Sequence, residues 1–214
     1  MSENAHLQFT IEDSIFMQPL PHMLEDYPKD VILKDGSGVT LNPLRRGDQD
    51  LVTAMLARFP KDDIWFLGEV QIALGSIDTL VREMESGRAV AIAAILEGRI
   101  IAVAALVARQ GSAKGHIGDI SISVDPDFRE KHLATWMLLE LVNGALSMGL
   151  EILIMRLIED RDASIIRSVR KLEFHDEAVL RNYVKDMAGN LCDQVIMVKR
   201  LHRLWDDLEA TRIP

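Results

Sequence analysis

The sequence holds a single cysteine, Cys192, in 214 residues. That excludes an intramolecular disulfide and any metal site built from several thiolates. The six histidines, at positions 6, 22, 116, 132, 175 and 202, show no metal-ligand spacing. Long apolar runs are also missing. Runs such as 89–96 have the length of a strand and are far too short to span a bilayer. The opening stretch MSENAHLQFTIEDS has no basic segment followed by an apolar one, so no secretory signal is read and a cytoplasmic location is expected. Basic residues are in deficit: 24 Lys and Arg stand against 33 Asp and Glu, a net charge of −9. Nucleic-acid affinity comes from cations meeting phosphates, so neither nucleic acid nor membrane is expected as a partner. The ten methionines are scattered packing residues, and Cys192 reads as a core residue.

Apolar residues make up 48% of the chain, enough for a substantial core in one elaborated domain. Residues 1–30 mix acidic, apolar and proline positions and read as an N-terminal arm. Phe9, Ile15, Phe16, Met17 and Leu20 would let it pack on this subunit or, in a homodimer, on a partner copy. The domain proper is expected over 31–201, with a helical tail at 202–214.

Turn chemistry places a hairpin at 31–38, turning at Asp35-Gly36, and a strand at 39–44. Asp48 is placed to cap a helix at 49–57. A helix at 77–85 precedes a buried strand at 89–96, a tight turn at Glu97-Gly98 and a returning strand at 99–108. Further on come a strand at 151–158 and a helix at 160–171, whose buried side is Ala163, Ile166, Val169 and Leu172. Strands at 178–184 and 193–201 close the series. No repeat or low-complexity segment interrupts it. Pattern alone supports a mixed α/β domain.

The stretch 117–148 organises the rest. A strand at 117–124 feeds a compact link at 125–131, and the link feeds a helix. Leu133, Met137, Leu138, Leu141, Val142, Ala145 and Leu146 recur three and four apart and form its apolar stripe. Gly149 stands where a helix commonly ends. The first turn of such a helix leaves N–H groups without partners, and its dipole adds positive charge, so the link is a candidate phosphate site.

Arg129-Glu130-Lys131-His132-Leu133-Ala134 resembles the acyl-CoA loop of the GNAT superfamily of N-acetyltransferases: Arg or Gln, two residues, Gly, one residue, then Gly or Ala. Arg129 and Ala134 match, and His132 occupies the first glycine position. The phrase LKDGSGVTLNPLRRGDQDLV resembles the opening of the GNAT domain in bacterial protein lysine acetyltransferases. The element order over 31–201 is similar as well. The resemblance implies a GNAT fold, a central mixed and mostly antiparallel sheet flanked by helices. It implies acetyl-CoA as co-substrate, no metal, and a primary-amine acceptor on a protein lysine or a small molecule. The early helical region 59–75, with Trp65, Phe66 and Leu67, would shape the acceptor groove. The main chain of Ile122, Ser123 and Val124 would meet the pantetheine arm. Arg129, Glu130, Lys131, His132, Leu133, Ala134 and Thr135 would surround the pyrophosphate, with Arg129 and Lys131 supplying charge. Asp162 stands where many members have Asn and would cap the next helix.

Moving an acetyl group from a thioester to an amine requires a neutral amine, a donor for the carbonyl oxygen and a proton for the leaving thiolate. Asp119 is the first candidate base, since the lysine acetyltransferases carry Glu at the matching position. His116 is a second, because imidazole titrates near neutrality, and Glu159 at the end of the next strand is a third. Many GNAT enzymes supply a Tyr as thiolate acid in the phrase Tyr-x-Lys-Leu-Gly-Phe. Here the phrase runs Val169-Arg170-Lys171-Leu172-Glu173-Phe174. His132, Val169 and Glu173 therefore keep a second expectation open, a non-catalytic acyl-CoA-binding or regulatory module. An interaction protein using the arm and terminal helix is a third.

Overall fold

A computed structural model describes residues 26–201 apart from Gly75 and Ser112, with the backbone alone over 68–74. The expected N-terminal arm to residue 25 and the tail at 202–214 lie outside the described residues. Eight strands form one sheet: β1 (Lys29–Ile32), β2 (Gly38–Pro43), β3 (Ala89–Leu96), β4 (Arg99–Ala108), β5 (Ile117–Val124), β6 (Ile152–Ile158), β7 (His175–Lys185) and β8 (Leu191–Arg200). Their order is β1-β2-β3-β4-β5-β6-β8-β7. The helices are α1 (Gln49–Leu56), α2 (Lys61–Leu74), α3 (Ile77–Glu85), α4 (Leu133–Ser147) and α5 (Ala163–Arg170). Every described strand pair is antiparallel except β5 with β6.

The central strands are apolar on both faces because helices cover both. β3 reads AVAIAAIL and its first six residues are buried without alternation, as expected of a strand between two layers. On one face Leu133, Met137, Leu138 and Leu141 of α4 join Ile166 and Val169 of α5 and Phe174. On the other, Val52 and Met55 of α1 join Leu80, Val81 and Met84 of α3. Ser76 caps α3, its side chain accepting from the Thr79 N–H at 3.2 Å. Asp48 precedes α1 without capping it; its carboxylate accepts from the Arg45 N–H at 2.8 Å instead. Cys192, expected in the core, is half-buried on β8.

The parallel pair positions the site. β5 and β6 are registered only over Ile117↔Ile152, Gly118↔Leu153 and Asp119↔Ile154. Gly118 makes room for the leucine side chains packed over this strand pair: a β-carbon there would lie 2.5 Å from Leu106 Cδ1 and 2.8 Å from Leu150 Cδ1. α4 makes the crossover between the two strands. It ends as expected at Gly149, whose φ is 70°. Midway along α4, the Tyr27 hydroxyl and Lys29 ammonium both donate to Glu140, at 3.0 and 2.8 Å, pinning the start of the described chain.

Candidate active site

Past Asp119↔Ile154 the two parallel strands follow different partners. β5 stays on β4 as far as Val124, and β6 stays on β8 as far as Ile158. A wedge opens between them and leads into a cleft of about 1040 Å³. At the two ends of the β4–β5 ladder, Arg109 N–H donates to the Ile117 carbonyl and Asp125 N–H to the Ile101 carbonyl, both at 2.8 Å. Odd-numbered residues of β5 therefore face β4, and the peptide groups of Ile122 and Val124 face the wedge. The opposite edge is capped at its end. Asp162, 4% exposed, accepts the Ile158 N–H at 2.7 Å and the Arg161 Nε at 2.8 Å, and donates its own N–H to the Ile158 carbonyl at 2.8 Å. It occupies the cap position of α5 but makes no side-chain bond into that helix. The expected helix cap is thus a strand-edge cap, which leaves β5 as the edge open to a ligand.

The loop after β5 is the candidate anion cradle. Asp125, 2% exposed, receives Arg58 Nε at 2.5 Å and the Asp127 N–H at 3.1 Å, and so fixes the turn. Among the described residues, no acceptor meets the amides of Glu130, Lys131, His132, Leu133 and Ala134. Arg129 N–H returns to the Pro126 carbonyl and Thr135 N–H to the His132 carbonyl. The cradle is therefore narrower than the expected 129–135. His132 is exposed and precedes α4 at φ 67°, ψ 10°, and Glu130 lies at φ 61°. A position expected to carry glycine keeps glycine's left-handed backbone with a side chain attached.

The two cationic side chains expected at the pyrophosphate already face carboxylates. Arg129 Nη2 donates to Asp63 of α2 at 2.6 Å, its Nε to the Val124 carbonyl at 3.2 Å, and its guanidinium lies 5.4 Å from the Phe59 ring centre. Lys131 pairs with Asp35 in the β1–β2 turn at 2.9 Å and lies 4.8 Å from the centre of the Phe128 ring. What the loop presents without a described partner is backbone N–H.

Asp119 stands at the vertex of the wedge, and its surroundings differ from those of a proton acceptor. Arg109 donates to it twice, at 2.6 and 2.8 Å, and Arg156 reaches across from β6 with Nη1 at 2.7 Å. Burial pushes its pKa up, but the hydrogen bonds from Arg109 and then Arg156, with their charges, outweigh burial and hold the carboxyl below its ordinary value. Both oxygens are engaged, so the geometry makes Asp119 a clasp between the two strands.

Comparison with known proteins places this architecture. The family model described as Acetyltransferase (GNAT) family matches residues 59–172, more than half of the chain. The chain belongs to the GNAT acetyltransferase family. It is thereby an acyltransferase. No curated protein matches it. Among solved structures, a GNAT-family acetyltransferase from Streptococcus pneumoniae is 20% identical, with TM-score 0.60 over 76% of this chain and 99% of that one. An N-acetyltransferase from Staphylococcus aureus Mu50 is 17% identical, with TM-score 0.62 over 78% and 100%. The GNAT domain of S. lividans PAT is 14% identical, with TM-score 0.59 over 81% and 96%. At such identities these structures share the fold.

Within the GNAT frame, Ile122, Ser123, Val124, Arg129, Glu130, His132, Leu133, Ala134, Thr135, Asp162 and Asp119 all line the cleft. Three residues expected there do not. Lys131 is turned to Asp35. His116 precedes β5 at the closed end of the strand pair, about 20 Å from Ile122 at the usual rise per residue, and its carbonyl serves Glu151 and Ile152. Glu159 pairs with Arg181 of β7 at 3.1 Å, outside the cleft wall. His116 is kept out of the cleft lining by the direction in which β5 runs, and Glu159 is turned toward Arg181. Val169 is buried at 4%, and Glu173 takes φ 65° where the family phrase has glycine. Sequence reasoning missed Arg109, Arg156, Ser164, Ser168 and Tyr183, which also line the cleft, as does Asp63 of the region 59–75 expected to shape the acceptor groove. One signal for Arg156 was available: it is the single charge in the strand ILIMRLI. Among the described residues no group of three or more His, Cys, Asp and Glu is placed to hold a metal, and no helix is long and apolar enough to cross a membrane.

Proposed function

We propose that the protein transfers an acetyl group from acetyl-CoA to a primary amine by direct attack in a ternary complex. The observation that carries this is the run of five amides, residues 130–134, without a described acceptor at the start of a 15-residue helix. Beside them lies a strand edge where the Ile122 peptide groups and the Val124 N–H face the wedge, the Val124 carbonyl being held by Arg129 Nε at 3.2 Å. Backbone N–H at a helix start suits a pyrophosphate, and an open strand edge suits the amides of a pantetheine arm, which add to it as a strand does. The wedge then sets the thioester near the vertex, where an amine from the α2 side can meet it. The ammonium first gives one proton to solvent; in the transfer the N–C bond forms, the C–S bond breaks, and the second proton, shed by the attacking nitrogen, ends on the thiolate. An Ile122 or Val124 N–H is the nearest backbone donor for the carbonyl oxygen.

Of the carboxylates that line the cleft, Asp63, Asp119, Asp162 and Glu83 are each held by arginine, and Glu130 lies in the loop after β5, away from the vertex. Deprotonation of the amine is therefore assigned to water in the cleft, relayed by the hydroxyls of Ser121 and Ser123, with Asp119 in a positioning role. The acceptor is a protein lysine or a small-molecule amine. A buried valine in place of the family's tyrosine favours a second function, acyl-CoA binding without turnover. Calorimetry with acetyl-CoA followed by thiol release against an amine panel separates the two. Binding with turnover supports transfer, binding without turnover over a wide panel supports the second function, and no binding removes both.

A further inference from the structure

The vertex of the wedge carries a charge imbalance that an acetyl group does not use. Two guanidiniums face one carboxylate. Arg109 comes from the end of β4 with Nε and Nη2, and Arg156 comes from β6 with Nη1 alone. Among the described residues, no acceptor meets Nη1 of Arg109 or Nε and Nη2 of Arg156. Three of the other carboxylates around the cleft are matched one to one, Asp63 by Arg129, Asp162 by Arg161 and Glu83 by Arg88, while Glu130 stands in the loop after β5 rather than at the vertex. Asp119 pairs with Ile154 in register, so Arg156 lies two residues further along the same face, at the point where the strands part. Its side chain is 43% exposed and that of Arg109 23%. A strand otherwise composed of Ile, Leu and Met thus places a planar fork of donors in a cleft wall. Such a fork matches a carboxylate in two-point geometry better than any other side chain does.

We propose that Arg156, backed by Arg109 and aimed by Asp119, is a carboxylate-binding subsite, and that the preferred substrate pair carries a carboxylate close to the reacting carbon. The proposal rests on the acyl-transfer function above. The carboxylate belongs either to the acceptor, as in a free amino acid, or to the far end of the acyl chain, as in a dicarboxylic acyl-CoA. Asp119 is then a positioning residue, holding both forks in place.

Calorimetry on the full chain tests this in two arms. One titrates the common amino acids and their amides into protein saturated with CoA. The other titrates succinyl-CoA against butyryl-CoA. In one arm the carboxylate-bearing ligand should bind roughly 10- to 100-fold more tightly, the range for a hydrogen bond to a charged group. Arg156→Gln should bring that ratio to within about 3-fold of unity. Arg156→Lys, which keeps the charge and the contact with Asp119, should give an intermediate ratio. Arg170→Gln should leave it unchanged, because Arg170 pairs with Asp176 outside the cleft. No preference in either arm, or a preference that survives Arg156→Gln, overturns the subsite. If CoA itself does not bind, the acyl-transfer function falls and the subsite with it. If CoA binds and both ratios stay near one, the subsite alone falls.

Discussion

Replacing His132 by glycine should make the protein more stable, by an amount that the backbone sets. His132 holds φ 67° and ψ 10° at the start of α4. A β-carbon in that region costs about 1–2 kcal/mol. Glycine removes the strain but loses more freedom on folding, about 0.5–1 kcal/mol. The balance is a gain of about 0–1.5 kcal/mol, or up to roughly 6 °C in melting temperature for a chain of this size. Alanine keeps the β-carbon and should give no such gain. The amides of 130–134 depend on the backbone, which is already left-handed at Glu130 and His132. CoA affinity should therefore stay within about 3-fold in both variants, since the contact is made by backbone N–H. Urea unfolding and calorimetry with CoA on wild type, His132→Gly and His132→Ala give both readouts. A glycine variant less stable than wild type would refute the strain argument. Affinity lost equally in both variants would show that the imidazole, and not the amides, grips the phosphate.

Asp119→Asn should lower turnover without moving the pH inflection of the rate. The Asp119 carboxyl has its pKa held below the ordinary value. Its contribution to stability is complete above the unfolded-state pKa near 3.9 and is lost only as pH falls through the lower folded value. A limb between about pH 6 and 9 that disappears in Asp119→Asn would instead make Asp119 the base. Gly118→Ala should destabilise by about 1–3 kcal/mol through overpacking, because its β-carbon would meet Leu106 and Leu150, both buried; an unchanged urea midpoint would mean those leucine side chains give way freely. Asp162→Ala should cost about 1–3 kcal/mol, the penalty for a buried N–H left without its acceptor, here that of Ile158. Glu173→Gly relieves a φ of 65° but gives up the 2.8 Å ion pair with Lys199, so its melting temperature should rise less than that of His132→Gly.

Much of the site was readable along the chain because its main parts are local. The stripe Leu133, Met137, Leu138 and Leu141 announces α4, and those residues are buried in it. A helix start directly after a strand and a tight link makes an anion cradle whatever side chains it carries, so the departures from the family phrase at His132 and Glu173 did not hide it. Both positions kept a positive φ. The carboxylates and cations were not readable in the same way. Arg129 finds Asp63 across 66 positions and Arg156 finds Asp119 across 37. Whether Asp119 takes protons or clasps guanidiniums depends on those neighbours, and a pattern of residue types cannot state it. Asp162 shows the same limit at short range: a residue suited to a helix N-terminus is used on the edge of β6 because that edge lacks a neighbour.

The sequence by itself determined the elements, the loop and the family, since these follow from spacing, turn chemistry and a short phrase. Only the tertiary structure decided where the parallel strands part, which charges meet at that point and which candidate residues are carried away from it. Periodicity is a property of one segment. Charge pairing and strand divergence belong to segments that meet only after folding.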